Sequence, residues 1–295
     1  MKRVATFGDV RLLGEGRLGL VPTMGSLHEG HLALMARARA ECDTVVVSIF
    51  VNPLQFGEAD DLSAYPRDLE RDAALAAAAG VDVVFAPGLN EVYPDHPSVR
   101  LTVEALTVTL EGERRPGHFE GVALMVAKLF AGIQPDVAYF GRKDAQQLAV
   151  VRRLVRDLSF PVDVVAVATV REQDGLALSS RNTRLGRRER TAALSLVEGL
   201  RTAADLFDAG ERDPAPLETA VAERVGAEPL CHLEYSEVAD AVDMVRPMRI
   251  DRDSFLAVAA TVGGVRLIDN CFFIGGVAEI GTRLDRRSTL YEGDR

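Results

Sequence analysis

Thr44 to Val51, T-V-V-V-S-I-F-V, is an uninterrupted, largely β-branched run. Such a run suits a strand buried on both faces, and strands of that kind belong to parallel sheets flanked by helices. Its surroundings have the same texture. Leu18–Val21 reads as another buried strand, and a helical pattern of Leu32, Leu34 and Met35 with Ala33, Ala36, Ala38 and Ala40 follows. Beyond Thr44–Val51, Asn52-Pro53 breaks the chain before Gln55 and Phe56, and Asp60 to Tyr65 is polar. Pro66 to Ala79 reads as a helix with Pro at its start and Gly80 at its end, then Val81–Phe85 as a strand closed by Pro87-Gly88. A strand is expected at Val99–Val103, a polar loop at Glu111–His118 and a helix over about Phe119–Ile133, stopped by Pro135. Val137–Phe140, the turn Gly141–Asp144, a helix over Ala145–Leu158 and a strand at Val162–Val170 complete the alternation. The expected fold is α/β: a doubly wound, parallel, Rossmann-like sheet with ligands at the carboxyl ends of its strands.

After Leu185 the texture changes. Arg187–Ala209 and Pro216–Val225 read as helices, and Leu230–Val238, Phe255–Val262 and Val265–Ile268 as strands. A smaller C-terminal α+β domain is expected. Residues 1–175 would form the Rossmann-like ligand-binding part, and 176–295 a lid domain carrying the Ser179-Ser180-Arg181 loop.

Pro22–His31, P-T-M-G-S-L-H-E-G-H, joins the first of these strands to its helix. Gly25 permits close approach to a ligand and Ser26 can cap, so backbone N–H groups and the positive end of the helix dipole would face an anion. His28 and His31 lie three apart, on one face of the first turn. A zinc-protease helix needs its histidines four apart, and a dinucleotide fold needs G-x-G-x-x-G; neither is present. A phosphate-binding turn is what remains. Leu178-Ser179-Ser180-Arg181, just after Asp174-Gly175, offers hydroxyls and a guanidinium suited to a triphosphate, although the same residues could form a simple capping turn. Lys143, Arg115 and His118 are further cationic candidates, whereas Arg152, Arg153 and Arg156 read as a solvated helix face.

The formal charge of −10 over 295 residues argues against wholesale binding to nucleic acid or anionic membrane. No apolar run approaches the ~20 residues of a membrane span, and the mixed segment after Lys2 and Arg3 is unlike a secretory signal. A cytoplasmic setting is expected. Cys42, Cys231 and Cys271 are far apart and suggest neither a disulfide framework nor a zinc knuckle.

P-T-M-G-S-L-H-E-G-H, F-V-N-P-L-Q-F, Y-P-R-D-L, R-P-G-H-F-E-G-V, P-D-V-A-Y-F-G-R-K-D-A-Q-Q-L, D-G-L-A-L-S-S-R-N and R-L-I-D-N occur in that order along nearly the whole chain. Together they resemble the pantothenate synthetase (pantoate–β-alanine ligase) family, within the H-x-G-H nucleotidyltransferase superfamily. The resemblance implies ATP-dependent condensation of (R)-pantoate with β-alanine, through a pantoyl adenylate, to pantothenate, AMP and pyrophosphate. It implies ATP contacts from Pro22, Thr23, Met24, Gly25, Ser26, Leu27, His28, Glu29, Gly30 and His31, with His31 as proton donor, and from Gly141, Arg142, Lys143, Asp144, Val170, Leu178, Ser179, Ser180 and Arg181. His28, His31, Lys143, Ser179, Ser180 and Arg181 would carry the catalysis. Gln55 and Gln147 match pantoate-binding glutamines, and Asn52, Tyr65, Arg115 and His118 are added as substrate-binding candidates. Mg²⁺ would accompany the triphosphate, its protein ligands unknown, and the family is typically a homodimer.

Four departures from the family pattern stand out: a compact lead of about seventeen residues before Leu18, Arg142 where Glu is common, Ala145 in place of an aromatic residue, and Leu124-Met125 where Thr-Val is common. Arg142 is expected to add a cation near the phosphates. The rival readings are a nucleotidyltransferase with a phosphate acceptor, a nucleotide-sensing module and a tRNA synthetase. The neutral Gln55 and Gln147, the presence of both histidines, and the acidic charge disfavour them in turn.

Overall fold

A computed structural model describes residues 1–57, 62–63 and 65–291; Asp60, Asp61 and Ala64 of the polar stretch lie outside the described residues. The chain divides into two compact units, one of residues 1–141 and 150–167, the other of 142–149 and 168–295.

The first unit is a six-stranded sheet of β1 (Lys2–Val4), β2 (Leu18–Thr23), β3 (Thr44–Ile49), β4 (Val83–Phe85), β5 (Val137–Gly141) and β6 (Asp163–Val167), in the order β1-β4-β3-β2-β5-β6. Every neighbouring pair is parallel, with Leu18 opposite Thr44 and Val137 opposite both Gly19 and Asp163. The chain therefore runs outward from β2 through β3 to β4 and returns to β5 on the other side of β2. The switch point lies between β2 and β5, where a doubly wound sheet binds its ligand. Val45, Val46 and Val47 of β3 are all fully buried, as the uninterrupted run requires. The helices are α1 (Phe7–Leu13), α2 (Glu29–Glu41), α3 (Leu69–Ala78) and α4 (His118–Ile133), followed by α5 (Ala145–Asp157). Leu34, Met35 and Ala38 of α2 pack with Val21, Val45, Val47 and Tyr139 of the sheet.

The compact lead before Leu18 holds a strand and a helix: Lys2–Val4 adds an edge strand beside β4, and Thr6 caps α1 by accepting from the Asp9 N–H at 3.1 Å. One expectation is corrected here. Val99–Val103, expected as a strand, is irregular, because it pairs with no strand of the described chain and β propensity alone supplies no ladder.

In the second unit, β7 (Val170–Arg171) pairs in parallel with β12 (Thr282–Arg283). The expected strand Val162–Val170 is thus two strands in different sheets. Four antiparallel strands, β8 (Cys231–Asp240), β9 (Ser254–Val262), β10 (Val265–Ile274) and β11 (Val277–Glu279), are ordered β11-β10-β9-β8. The Gly-Gly pairs 263–264 and 275–276, all with positive φ, close the hairpins on either side of β10. The helices α6 (Arg187–Asp208) and α7 (Pro214–Gly226) share a core with this sheet, where Phe207 stacks on Phe273 at 4.3 Å between centroids. No helix among the described residues is long and apolar enough to cross a membrane.

Candidate active site

In the first unit the chain leaves β2 at Thr23, whose hydroxyl donates to the Ser48 carbonyl at 2.7 Å and accepts from the Gly25 N–H at 3.2 Å. Gly25 and Ser26 then both take left-handed conformations, φ +81° and +53°. A Cβ on Gly25 would lie 2.8 Å from an Asp72 carboxylate oxygen, so glycine is required there for space as well as for φ. The N–H groups of Ser26 and Leu27 donate to the two oxygens of Asp72, each at 2.8 Å. These are two of the N–H groups expected to face an anion, and a buried carboxylate from α3 holds them instead. Burial pushes the Asp72 carboxyl up, and the two N–H donors and Arg71 pull it partly back.

The cap of α2 also differs from expectation. His28, not Ser26, is the N-cap: its Nδ1 accepts from the Gly30 N–H at 3.1 Å, and Nδ1 of His31 accepts from the His28 N–H at 3.3 Å. Two imidazoles thus form a reciprocal capping box, with ring centroids 4.1 Å apart. A nitrogen that accepts from an N–H carries no proton, so each ring is the Nε2–H tautomer. Both side chains become oriented hydrogen-bond donors at the start of the helix.

Asn52–Gln55 follows β3, beside the end of β2, where Phe50 N–H bonds the Thr23 carbonyl at 3.2 Å. Asn52 is fully buried; its amide donates to the Gly121 carbonyl at 3.0 Å and its oxygen accepts from Tyr93 O–H at 3.0 Å. The Gln55 carbonyl accepts from His118 Nδ1 at 2.8 Å and Arg115 Nη2 at 3.2 Å, while Arg115 Nη1 lies 3.3 Å from His118 Nε2. That pairing puts the His118 proton on Nδ1, the reverse of His28 and His31. Asn52, Arg115 and His118 therefore fix the Gln55 main chain, and the Gln55 side chain has no partner among the described residues. Gly121 completes the seat, since a Cβ there would fall 2.3 Å from the Leu54 carbonyl oxygen. Tyr65 packs edge-on against Phe56 at 5.8 Å.

The second unit holds the other candidates. The Asn270 amide donates to the carbonyls of Arg142 and Lys143, at 2.9 and 2.8 Å. The Arg142 guanidinium pairs with Glu279 and lies over the Phe272 ring at 5.5 Å. Lys143 Nζ is 3.5 Å from Asp144, and Gln147 is half-buried in the first turn of α5. Beside Asn270, Asp269 and Arg171 form a buried two-bond pair at 2.6 and 2.9 Å, and Arg171 also donates to the carbonyls of Gly175, Asn270 and Ile280. Ser179 caps the turn Ser180–Arg184 by accepting from the Arg181 N–H at 3.3 Å, and Leu178 N–H bonds the Val170 carbonyl. Asn182, buried, donates to Glu172 at 2.8 Å and to the Ala177 carbonyl at 2.9 Å.

A family model described as pantoate-beta-alanine ligase matches residues 2–272. The chain belongs to the pantoate–β-alanine ligase family. Among its relatives, pantothenate synthetase of Heliobacterium modesticaldum is 54% identical over 258 residues, 87% of this chain and 92% of that protein. That of Roseiflexus castenholzii is 49% identical over 274 residues, 92% and 99% of the two chains. A crystal structure of pantothenate synthetase from Thermus thermophilus superposes with a TM-score of 0.87 at 49% identity, covering 92% of this chain and 98% of that one. Pantoate-beta-alanine ligase from Francisella tularensis, crystallised with beta-gamma ATP and beta-alanine, gives 0.76 at 33% identity, with coverage of 92% and 97%.

In this member of the ligase family, Asp72 holds candidate residues of the first unit, and Arg171, Glu172, Asp269 and Asn270 hold those of the second, yet the motif reading gives none of them a role. Asp72 leaves a trace in the sequence: it sits at the helical spacing of the buried Ala73 and Ala76, a charged residue on an apolar face. Arg171, Asp269 and Asn270 depend on contacts across about a hundred residues, such as Arg171 with Asp269, and Glu172 on contacts with Asn182 and Arg190 that no local pattern announces.

Proposed function

We propose that this ligase condenses (R)-pantoate with β-alanine in two steps, with ATP as co-substrate. A pantoate carboxylate oxygen attacks the α-phosphorus of ATP, the bond to the β-phosphate oxygen breaks, and pyrophosphate leaves. The β-alanine amine then attacks the acyl carbon of the pantoyl adenylate, the bond to the phosphate oxygen breaks, and AMP leaves as the amine loses its proton to solvent.

The observation that carries this reading is the histidine capping box beside the switch point, which holds two Nε2–H donors at the carboxyl end of β2. Adenylation spreads negative charge over the α-phosphoryl oxygens and the departing pyrophosphate, and fixed donors there lower the barrier with no covalent nucleophile. His28 and His31 take that part as hydrogen-bond donors; a second proton, on Nδ1, would break the cap. Pro22–His31, Gly141–Asp144, Val170 and Leu178–Arg181 bind ATP, with Lys143, Ser179, Ser180 and Arg181 supplying charge and hydroxyls to its phosphates. The side chains of Gln55 and Gln147 recognise pantoate, since an amide both donates to a carboxylate and accepts from a hydroxyl.

Among the described residues no group of three or more His, Cys, Asp or Glu is placed to hold a metal ion. A Mg²⁺ that comes with the triphosphate would be held mainly by phosphate oxygens and water. The ion would neutralise phosphate charge. A homodimer and a cytoplasmic setting belong to the same proposal, and light scattering measures the first.

Pyrophosphate exchange into ATP tests the reading. Exchange that needs pantoate but not β-alanine is the expected result. No exchange with pantoate, while ATP demonstrably binds, would favour a nucleotidyltransferase with a phosphorylated acceptor.

A further inference from the structure

Residues 282–291 lie beyond the span 2–272 that the family model matches. In this chain they begin alongside, and parallel to, the segment that leads to the Ser179–Arg181 turn. Thr282 and Leu284 donate to the carbonyls of Thr169 and Arg171, each at 2.8 Å, and the Gln173 amide donates to the Asp285 carbonyl at 2.8 Å. Ser288 and Thr289 are buried, and the segment ends at Tyr291.

The Tyr291 hydroxyl donates to Glu172 Oε1 at 3.0 Å and accepts from Arg190 Nη1 at 2.5 Å. Glu172 is itself clamped by Arg190, at 2.9 and 2.8 Å to its two oxygens. Its Oε1 is the atom that accepts from Asn182, the residue directly after Arg181. Arg190 also reaches Asp174, at 2.7 Å, on the upstream hairpin. One carboxylate oxygen therefore ties the end of the Ser-Ser-Arg turn, a helix α6 arginine and the chain's last described residue. Burial and the Glu172 charge push the Tyr291 phenol up, so it keeps the proton it donates.

We propose that Tyr291 is a positioning residue for the Ser179–Arg181 turn, acting on ATP through Glu172 and Asn182. Without its hydroxyl, Arg190 loses an acceptor and Glu172 a donor. The Asn182 contact then no longer rests on a saturated carboxylate, and the turn samples more conformations before ATP orders it. The inference rests on the assignment of Ser179–Arg181 to ATP.

Tyr291→Phe keeps the ring beside Arg190 and Arg287, at 5.7 and 5.2 Å, and removes only the hydroxyl. Arg181→Ala is measured beside it. The expected result for Tyr291→Phe is a rise of about 3- to 10-fold in KM for ATP, part of the worth of one hydrogen bond to a charged network, with KM for pantoate unchanged and a fall of about 2–4 °C in the melting temperature. Unchanged kinetics, or both KM values moved alike, would overturn the positioning role. If Arg181→Ala leaves KM for ATP unchanged, the assignment of the turn to ATP fails instead, and the two failures are told apart.

Discussion

The candidate residues of the two units are held by different physics. In the first unit the His28–His31 turn is set by backbone geometry: two left-handed residues, a reciprocal cap and one buried carboxylate that collects two N–H groups. In the second unit the Ser179–Arg181 turn and the Arg142–Lys143 turn hang on ion pairs and amides from distant strands and helices. A turn built mainly within one contiguous stretch is cheap to encode and depends on few positions outside it, here Asp72. A turn built on side-chain pairs depends on several separate positions, and loss of any one leaves a buried charge unmatched.

The largest effect that this contrast predicts is at Asp269. Asp269→Ala leaves the Arg171 guanidinium buried without its carboxylate, and a loss of about 3–5 kcal/mol is expected in chemical denaturation. A loss under about 1 kcal/mol would show that the pair does not anchor the second unit. His31→Ala comes next, with two separable effects. Adenylate formation, followed by pyrophosphate exchange, should slow about 10²- to 10³-fold, while stability falls by only about 1 kcal/mol for the lost cap. Near wild-type exchange would remove the imidazole from the reaction. Gly121→Ala should cost about 1–3 kcal/mol, because its methyl meets backbone and not a movable side chain. It should also raise KM for pantoate more than KM for ATP by displacing Gln55; an equal rise in both would separate Gln55 from pantoate.

The smallest effect is a slope. Because the Asp72 carboxyl is pushed up in the folded chain, the folded state binds more protons than the unfolded one between the ordinary carboxylate range and the raised value. Its contribution to stability is greatest at the acid end and declines as pH rises through that window. Urea unfolding of wild type and Asp72→Asn across the window should show the wild-type advantage shrinking with pH. An advantage that grows would mean that the two N–H donors outweigh burial.

The same contrast explains what can be read in the sequence. β2, the turn and α2 are legible because an apolar run, a glycine and a helical spacing are adjacent, and the alternation of strands and helices follows from β-branched runs such as Val45–Val47. Lys2–Val4 escapes such a reading because a three-residue edge strand has no periodicity; only its pairing with β4 makes it one. Val99–Val103 has strand-like residues and no partner strand among the described residues. The nature of the cap is hidden because serine is the commoner capping residue, and Ser26 instead takes a left-handed φ with its N–H bonded to Asp72. Asn52, Arg115 and His118 are legible as polar residues near a ligand, but their bonds to the Gly121 and Gln55 carbonyls come from a fold contact that the spacing does not contain.

The most direct test of the account is the tautomeric state of the histidines, read from ¹⁵N shifts of the imidazole rings in labelled protein at neutral pH. His28 and His31 should show an unprotonated Nδ1 and a protonated Nε2, and His118 the reverse. Protonated Nδ1 on His28 or His31, as the other tautomer or as imidazolium, would contradict the capping box and with it the role of these rings as fixed hydrogen-bond donors.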